Sequence, residues 1–283
     1  MGAENLYSGF ETIRRNNRTI YVNRALRNDS LEQALLGGEK QLQQRFELSR
    51  FESSKFVRLY KFTARFGGVD RQVYFKRYLN RSVWDTIKHI FRRSRAMRAF
   101  EATSMLAERG FQTPVVIAMG ECRSTFIRLE NFIVTLEVEG AKPIYQFIAN
   151  KPKELTEHQL RRERDLIRTF GRIVGKMHAA GIFHGDLRLG NILARYEQDN
   201  WQFFFLDNER TKKFHRLPAR LRLKNLVQVN MWRSSAIFNT DRMRFFEAYI
   251  SANPCVQKRY NRWAQKIIAK TNCRLRKKNW FEN

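Results

Sequence analysis

Hydrophobic positions change period about halfway along the chain. From about residue 46 to 79 they form short, strand-like runs: "RFELSRF", "KFVRLYKFTARF" and "RQVYFKRYL". Alternation with period two marks a strand with one covered face. "GGVD" separates the last two runs, and Gly67-Gly68 predicts the turn of a hairpin. Residues 83–109 read as a helix, with room for a break, ending at Gly110. Met97, Glu101 and Met105 are spaced by four and share one face, which sets a carboxylate between apolar neighbours on the expected inward side. "FQTPVVIAMG" and "NFIVTLEVEG" return to a strand pattern, and a boundary is expected near Gly140.

Beyond that point the helical period takes over. Thr156 and Gln159 form a capping-box pattern. Leu166, Ile167, Phe170, Ile173, Val174 and Met177 repeat at helical spacing, and Gly181 closes the helix. "NILARYEQDNWQFFFLD" reads as a short hairpin turning at "EQDN". Residues 210–224 are very basic, and the chain after them reads as helical. Strands, one helix, more strands and then a helical half predict an α+β chain with two lobes. The β-rich N-lobe is expected over 46–140 and the mostly helical C-lobe over 141–283. Residues 1–45, mixed and polar with a short helix in "SLEQALL" before Gly37-Gly38, stand as an N-terminal extension without an assigned role.

Composition narrows the class. A chain of 283 residues suits one two-lobed domain or two small ones, and 43% hydrophobic residues, 23 Phe among them, supply a sizeable core. No internal repeat or disordered linker is evident. Lys and Arg number 54 against 27 Asp and Glu, a formal net charge of +27. Such a field attracts polyanions, whether nucleic acid, an anionic membrane or a phosphorylated substrate, without choosing among them. Cys122, Cys255 and Cys273 are far apart and form no Cys-x-x-Cys, which argues against a disulfide framework or zinc site and for a reducing cytoplasm. The N-terminus lacks an apolar signal core, and Leu6 breaks the myristoylation pattern that Gly2 invites. No run approaches the roughly 18 apolar residues of a membrane span, so a soluble or peripheral protein is expected.

The chemistry concentrates in "HGDLRLGNIL" (184–193). Alone, a His, an Asp and an Asn in a loop would be ordinary surface polars. Asn191, however, follows Asp186 by the interval of the kinase pattern His-x-Asp-x-x-x-x-Asn. The motif follows an amphipathic helix and precedes a hairpin, and Asp207 in "FFFLDNER" ends that hairpin where a metal-binding Asp is expected. Phosphoryl transfer needs positioning and charge neutralisation more than covalent help. Asp186 would accept the proton of the attacking hydroxyl, while Asn191 and Asp207 would hold Mg²⁺. Arg188 would reach the transferring phosphate, unless it is one more surface cation. His184 reads as a structural anchor. In the first lobe Lys76, a cation inside the apolar "VYFKRY", would bind ATP phosphates with Glu101 as its partner. Their bland alternatives are a solvated strand residue and a helix-surface carboxylate. Glu137 and Val138 in "TLEVEG" occupy the position of a hinge that would offer backbone groups to adenine.

Taken together, "VYFKRYLNRSVWDTIKHI", Glu101 within "AFEATSMLAERGFQTP", "HGDLRLGNIL", "FFFLDNER" and "DRMRFFEAYI" resemble the lipopolysaccharide core kinase family over about residues 45–250. These bacterial enzymes are similar in fold to protein kinases and phosphorylate heptose or Kdo of the inner core. The strand bearing Lys76 with downstream Trp84, and the late "RFFEAY", carry the family likeness; the catalytic-loop motif is general to kinase-like enzymes. The resemblance implies a two-lobed protein-kinase-like fold and ATP-dependent, Mg²⁺-assisted transfer of the γ-phosphate to a sugar hydroxyl. It implies an anionic lipopolysaccharide-core acceptor and a cytoplasmic protein, peripheral on the inner face of the cytoplasmic membrane. Clusters at 88–98, 210–224 and 274–278 would meet that anionic surface. No helix-turn-helix or aromatic RNA-binding pattern suggests a specific nucleic acid.

The chain also departs from kinase patterns. No Gly-x-Gly-x-x-Gly occurs, so "RFESSKF" (50–56) would cover the phosphates through backbone N–H groups or Ser53 and Ser54. Gly185 replaces the Arg that docks a phosphorylated activation loop in regulated protein kinases. Asp207-Asn208-Glu209 replaces Asp-Phe-Gly, with Glu209 expected in an ion pair with Arg210 or a nearby Lys. Asn225 in "KNLVQV" stands where an Asp often braces the catalytic loop, which predicts weaker bracing. An aminoglycoside-type phosphotransferase is disfavoured by the charge, and a Ser/Thr protein kinase by Gly185 and the lost Asp-Phe-Gly. A pseudokinase binding module is disfavoured by the full set of Lys76, Glu101, Asp186, Asn191 and Asp207.

Overall fold

In the computed structural model the described residues are 8–52, 54–79, 93–124, 127–149, 156–232 and 237–279. The chain divides into two compact units, Met1–Glu139 and Gly140–Asn283. The first is built on an antiparallel sheet of seven strands: β1 (Phe10–Arg15), β2 (Arg18–Asn23), β3 (Ser49–Phe51), β4 (Val57–Phe66), β5 (Val69–Tyr78), β6 (Val116–Ser124) and β7 (Ile127–Leu136). Their order across the sheet is β1-β2-β6-β7-β5-β4-β3. β4 and β5 pair from Val57↔Tyr78 to Phe66↔Val69. Gly67 and Gly68 turn between them at φ of 56° and 82°, a region where glycine meets no Cβ penalty.

Residues 10–45 do not form a separate extension. β2 pairs with β6 through Ile20↔Gly120, and helices α1 (Asp29–Gly37) and α2 (Glu39–Arg45) cover one face of the sheet. Leu31, Ala34, Leu35 and Leu42 pack there on Phe62, Val73, Phe75 and Phe132. The strand expected from about residue 46 is shorter than its pattern: α2 runs to Arg45, and only Ser49–Phe51 pair with β4. The opposite face is covered by α3 (Arg95–Ala107), where Ala96, Ala99 and Phe100 pack on Val57, Tyr78, Met119 and Ile133. Ser94 caps α3 by accepting from the Met97 N–H at 2.9 Å. The expected start of this helix, from residue 83, lies outside the described residues.

Alternation along β5 decides where its charges go. Val73 and Phe75 face α1 and α2, so Arg77 shares that side, while Lys76 shares the α3 side with Tyr78. Arg77 enters a line of charges across the strands: it pairs with Glu39 and lies 3.0 Å from Glu130, which also takes Arg18 at 2.8 Å. Glu39 also accepts from the Tyr60 hydroxyl at 2.5 Å and Arg58 at 3.0 Å, which fastens the start of α2 to the sheet.

The second unit holds β8 (Lys142–Pro143), α4 (Ile144–Ala149), α5 (Glu157–Ala179), β9 (Ile182–Phe183), β10 (Ile192–Glu197), β11 (Asn200–Phe205), β12 (Lys212–Lys213), α6 (Ala219–Asn230), α7 (Asn239–Ser251) and α8 (Tyr260–Asn279). The capping box at Thr156 and Gln159 is formed in both directions. β10 and β11 make the expected hairpin, turning on Gln198 and Asp199 at φ of 48° and 58°. Two left-handed residues in a two-residue loop match the right-handed twist of the strands. "RFFEAY" lies on α7, which packs against α5 at two glycines. A Cβ on Gly171 would lie 2.4 Å from the Phe245 carbonyl oxygen, and one on Gly175 would lie 2.5 Å from that of Tyr249. Among the described residues no helix is long and apolar enough to cross a membrane.

This close approach predicts that Gly175→Val destabilises the protein by about 1–3 kcal/mol, the usual range for overpacking. Gly9→Ala, where nothing lies within 4 Å, should stay within about 0.5 kcal/mol of wild type. Urea unfolding of both variants checks the difference.

Candidate active site

Gly181 ends the region of α5 at φ 76°, and a Cβ there would lie 2.1 Å from the Phe214 carbonyl oxygen. The chain then runs through β9, which pairs with β12 in the register Phe183↔Lys212. The segments before the catalytic loop and after Asp207 are therefore joined.

His184 is fully buried. Its Nε2 lies 3.0 Å from the Leu206 carbonyl oxygen, an acceptor only, so Nε2 carries the proton. Nδ1 then accepts from the Asp186 N–H at 3.2 Å. Burial lowers its pKa, against the hydrogen bond to Leu206 and the charges of Asp186 and Asp207, which raise it. His184 is thus a neutral anchor that joins the loop to the strand end leading to Asp207.

Asp186 follows with a partly exposed side chain. Arg188 grips its carboxylate with two nitrogens; Nε reaches Oδ1 at 2.7 Å and Nη2 reaches Oδ2. The hydrogen bond to Asp186 is the main cause of a raised Arg188 pKa, with partial burial opposing it. Asn191 closes the loop: its Nδ2 donates to the Asp186 carbonyl oxygen at 2.9 Å and its N–H to that of Arg188 at 2.8 Å. Leu206, next to Asp207, donates its N–H to the Asn191 carbonyl oxygen at 2.9 Å. The structure thus brings Asp186, Arg188 and Asn191 together with the segment bearing Asp207. Asp207 itself is exposed, in the left-handed conformation at φ 55° and ψ 46°, two residues beyond the end of β11. Asp adopts this conformation more readily than most side chains. Glu209 lies 3.6 Å from Arg210, an ion pair of the kind expected.

Gly185 has a packing reason as well as an absent regulatory arginine. A Cβ at this position would lie 2.0 Å from the Arg210 Cβ and 2.7 Å from its carbonyl oxygen. Only glycine lets the catalytic loop touch the turn after Asp207.

The expectation of weaker bracing at Asn225 is corrected. Asn225 is 0% exposed and makes four hydrogen bonds. Oδ1 accepts from the His184 N–H at 3.2 Å and from His178 Nε2 at 3.1 Å. Nδ2 donates to the His184 carbonyl oxygen at 2.5 Å and to Gln228 Oε1 at 2.9 Å. A carboxylate has no donor for that carbonyl; the amide holds the loop backbone by both of its groups. His178 continues the chain of bonds to the Tyr249 hydroxyl at 3.0 Å, which also accepts from Asn253 at 3.2 Å. Sequence reasoning missed His178, Tyr249 and Gln228. The first two sit in apolar helical runs that read simply as core.

In the first unit, Lys76 is half-buried, with Nζ 5.5 Å from the centre of the Tyr78 ring. Glu101 is held in an ion pair by Arg93, so an arginine here engages the carboxylate expected to hold Lys76. Met97, Glu101 and Met105 are half-buried; the packed stripe of α3 is Ala96, Ala99, Phe100, Thr103 and Leu106. The carboxylate row therefore borders the core rather than pointing into it. Glu137 commits its N–H to the Gln72 carbonyl oxygen at 2.9 Å and its carboxylate to Lys61 at 2.9 Å and the Tyr74 hydroxyl at 3.2 Å. Burial first, and Glu137 second, push the Tyr74 pKa up to about 12. Ser53 lies outside the described residues. Ser54 lines a cleft of about 560 Å³ with Arg50, Glu52, Lys55 and Arg58, in which cations outnumber the one carboxylate.

Asn191 and Asp207 offer the oxygen donors that Mg²⁺ prefers. Nδ2 of Asn191 is committed to the Asp186 carbonyl oxygen, so Oδ1 is the atom that would meet a metal. Among the described residues no group of three or more His, Cys, Asp or Glu could hold a metal by itself. Mg²⁺ is commonly held by one or two protein oxygens with substrate phosphates completing its shell.

The sheet-and-helix first unit and the helical second unit, with its loop and hairpin, are those of a protein-kinase-like fold. A solved structure described as WaaP in complex with acyl carrier protein aligns at a TM-score of 0.59 and 19% identity, covering 87% of this chain and 96% of that one. The lipopolysaccharide kinase (Kdo/WaaP) family matches residues 43–249, and the chain belongs to it. It is 26% identical over 159 residues to the lipopolysaccharide core heptose(I) kinase WaaP of Pseudomonas aeruginosa, a match covering 54% of this chain and 59% of that protein. The chain thus spans less than two thirds of this curated relative's length.

The buried histidines make stability depend on pH. An unfolded imidazole takes its proton near pH 6.5, whereas His178 in the fold, held neutral chiefly by desolvation, does so only at about 3. The unfolded chain therefore binds the proton first as pH falls. This contribution is fully present above pH 6.5 and is lost on the way down to about 3. Urea midpoints should fall by the equivalent of about 1 kcal/mol per pH unit from this group. His178→Gln should reduce the slope between those limits, and an unchanged slope would contradict the assignment.

Proposed function

We propose that the protein is an ATP-dependent kinase that transfers the γ-phosphate to a hydroxyl of heptose or Kdo in the lipopolysaccharide inner core. The observation that carries the reading is the catalytic loop itself. Asp186, Arg188 and Asn191 are locked by hydrogen bonds to one another, to His184 and to the strand end before Asp207. Asp186 accepts the proton of the acceptor hydroxyl as the new bond to phosphorus forms. Arg188, whose side chain is 61% exposed, moves from Asp186 onto the transferring phosphate. Asn191 and Asp207 hold Mg²⁺, which neutralises phosphate charge. Lys76 binds ATP phosphates, with the cationic cleft at Ser54 and the missing glycine loop's neighbour Ser53 covering them. Glu101, now ion-paired with Arg93, serves as the partner of Lys76, and the backbone of Glu137 and Val138 receives adenine.

The charge distribution favours an anionic acceptor over a cationic aminoglycoside. Lys212, Lys213, Arg216 and Arg220 are exposed on the segment after Asp207 and bind the phosphates and carboxylates of the core. Arg222 is not part of that surface; it is buried, with Nη1 3.0 Å from Cys255 Sγ. Arg274, Arg276 and Lys277 on α8 are exposed and hold the protein at the anionic inner face of the cytoplasmic membrane. The family and the segment following Asp207 support this peripheral placement over binding to a specific nucleic acid.

Labelled ATP offered with purified core lipopolysaccharide, free sugars and a protein mixture identifies the acceptor; label confined to protein or free sugar refutes the reading. Asp186→Asn and Asp207→Ala should each lower transfer by about a hundredfold or more while the protein stays folded. A purified Asp186→Asn protein with wild-type rate would sink the catalytic assignment. Lys76→Ala should chiefly raise the KM for ATP, and unchanged nucleotide kinetics would refute its role.

A further inference from the structure

One turn beyond Asn225 on α6, Gln228 is 8% exposed and both ends of its side-chain amide are hydrogen-bonded. Its Oε1 lies 3.3 Å from the Leu187 N–H and 2.9 Å from Asn225 Nδ2. Both neighbours are donors, so the amide orientation is fixed, and Nε2 is left to donate to Asp186 Oδ1 at 3.3 Å. α6 therefore grips the loop twice. Asn225 holds the backbone of His184, and Gln228 holds the backbone of Leu187 together with the carboxylate of Asp186.

The two donors on that carboxylate differ in kind. Arg188 is a long cation with a 61% exposed side chain, free to follow a phosphate. Gln228 is neutral, buried and bonded at both ends of its amide, so it stays when Arg188 leaves. We infer that Gln228 is a positioning residue: it holds Asp186 Oδ1 so that Oδ2 remains turned to the acceptor hydroxyl during transfer. The inference rests on the reading of Asp186 as the group that accepts the hydroxyl proton. Its chemical logic is orientation. An acid–base group contributes only when its accepting atom lies in line with the proton, and a carboxylate released by its cation would otherwise rotate. A neutral donor suits the task because it leaves the negative charge on Asp186 intact, where a second fixed cation would lower its basicity.

The discriminating variant is Gln228→Glu. It keeps an oxygen for the Leu187 N–H and for Asn225 Nδ2 but removes the donor to Asp186. The new carboxylate faces Asp186 Oδ1, so it costs stability whatever the role; a loss of kcat that disappears in the Asp186→Asn background is what marks positioning. Steady-state kinetics with ATP and core lipopolysaccharide should show kcat reduced about tenfold or more, a fraction of the usual acid–base contribution. The KM for each substrate should stay within about twofold in a protein that is less stable but still folded at the assay temperature. Gln228→Met, which also loses the grip on Leu187, should lose both kcat and stability. In an Asp186→Asn background Gln228→Glu should not slow the residual single-turnover rate further. A crystal structure of Gln228→Glu should show the Asp186 carboxylate in a new rotamer on an unmoved loop backbone. Wild-type kcat in Gln228→Glu, an equal loss in both backgrounds, or an unchanged Asp186 rotamer overturns the inference while leaving the kinase reading intact. Full activity in Asp186→Asn alone marks the failure of that reading, and the inference falls with it.

Discussion

A single buried amide, that of Asn225, fixes the backbone on which the whole site is built. It sits at 0% exposure and satisfies both hydrogen-bonding groups of His184 while also engaging His178 and Gln228. Removing a partner from such a group leaves buried polar atoms unpaired, at a cost of about 1–3 kcal/mol each. Desolvation keeps His178 and His184 neutral, and the network fixes their tautomers: each uses its protonated nitrogen to donate and the other to accept. At His184 a charged imidazole would set a second donor against the Asp186 N–H. The glycine pair on α5 belongs to this arrangement, because it lets α7 approach closely enough for the Tyr249 hydroxyl to reach His178.

In the first unit the governing constraint is that both faces of the sheet are covered. α1 and α2 occupy one face and α3 the other. Adjacent cations on β5 are thereby sent to opposite fates: Arg77 into an ion-pair line that secures α2, Lys76 to the face of α3. A helix-covered outer face also accounts for the large aromatic content of β4, β5 and β7, where Phe62, Phe75 and Phe132 are buried.

Much of this was legible from local pattern. The hairpins at Gly67-Gly68 and Gln198-Asp199, the capping box at Thr156 and the loop of His184 to Asn191 each depend on residues close in sequence. What escaped depends on long-range packing. "FETIRRNNRTIYVN" forms a hairpin turned at Asn16, φ 52°, but its partner β6 lies a hundred residues on, and short polar strands give weak alternation. Arg93 claims Glu101 from just before the α3 cap, which spacing along the helix does not reveal. Asn225 was read as a diminished carboxylate because only its acceptor was counted; the donor matters once a carbonyl lies opposite it.

The pairing of β9 with β12, together with the contact of Gly185 on Arg210, has a consequence for cooperativity. The stretch between these strands begins and ends at the same place, so its chain entropy is already reduced before any phosphate arrives. The 184–193 loop, the β10–β11 hairpin and the Asp207 turn thus lie between two paired strands and are hydrogen-bonded to one another. A loop bonded in this way carries its order with it, so little ordering cost would be charged against a ligand that met it.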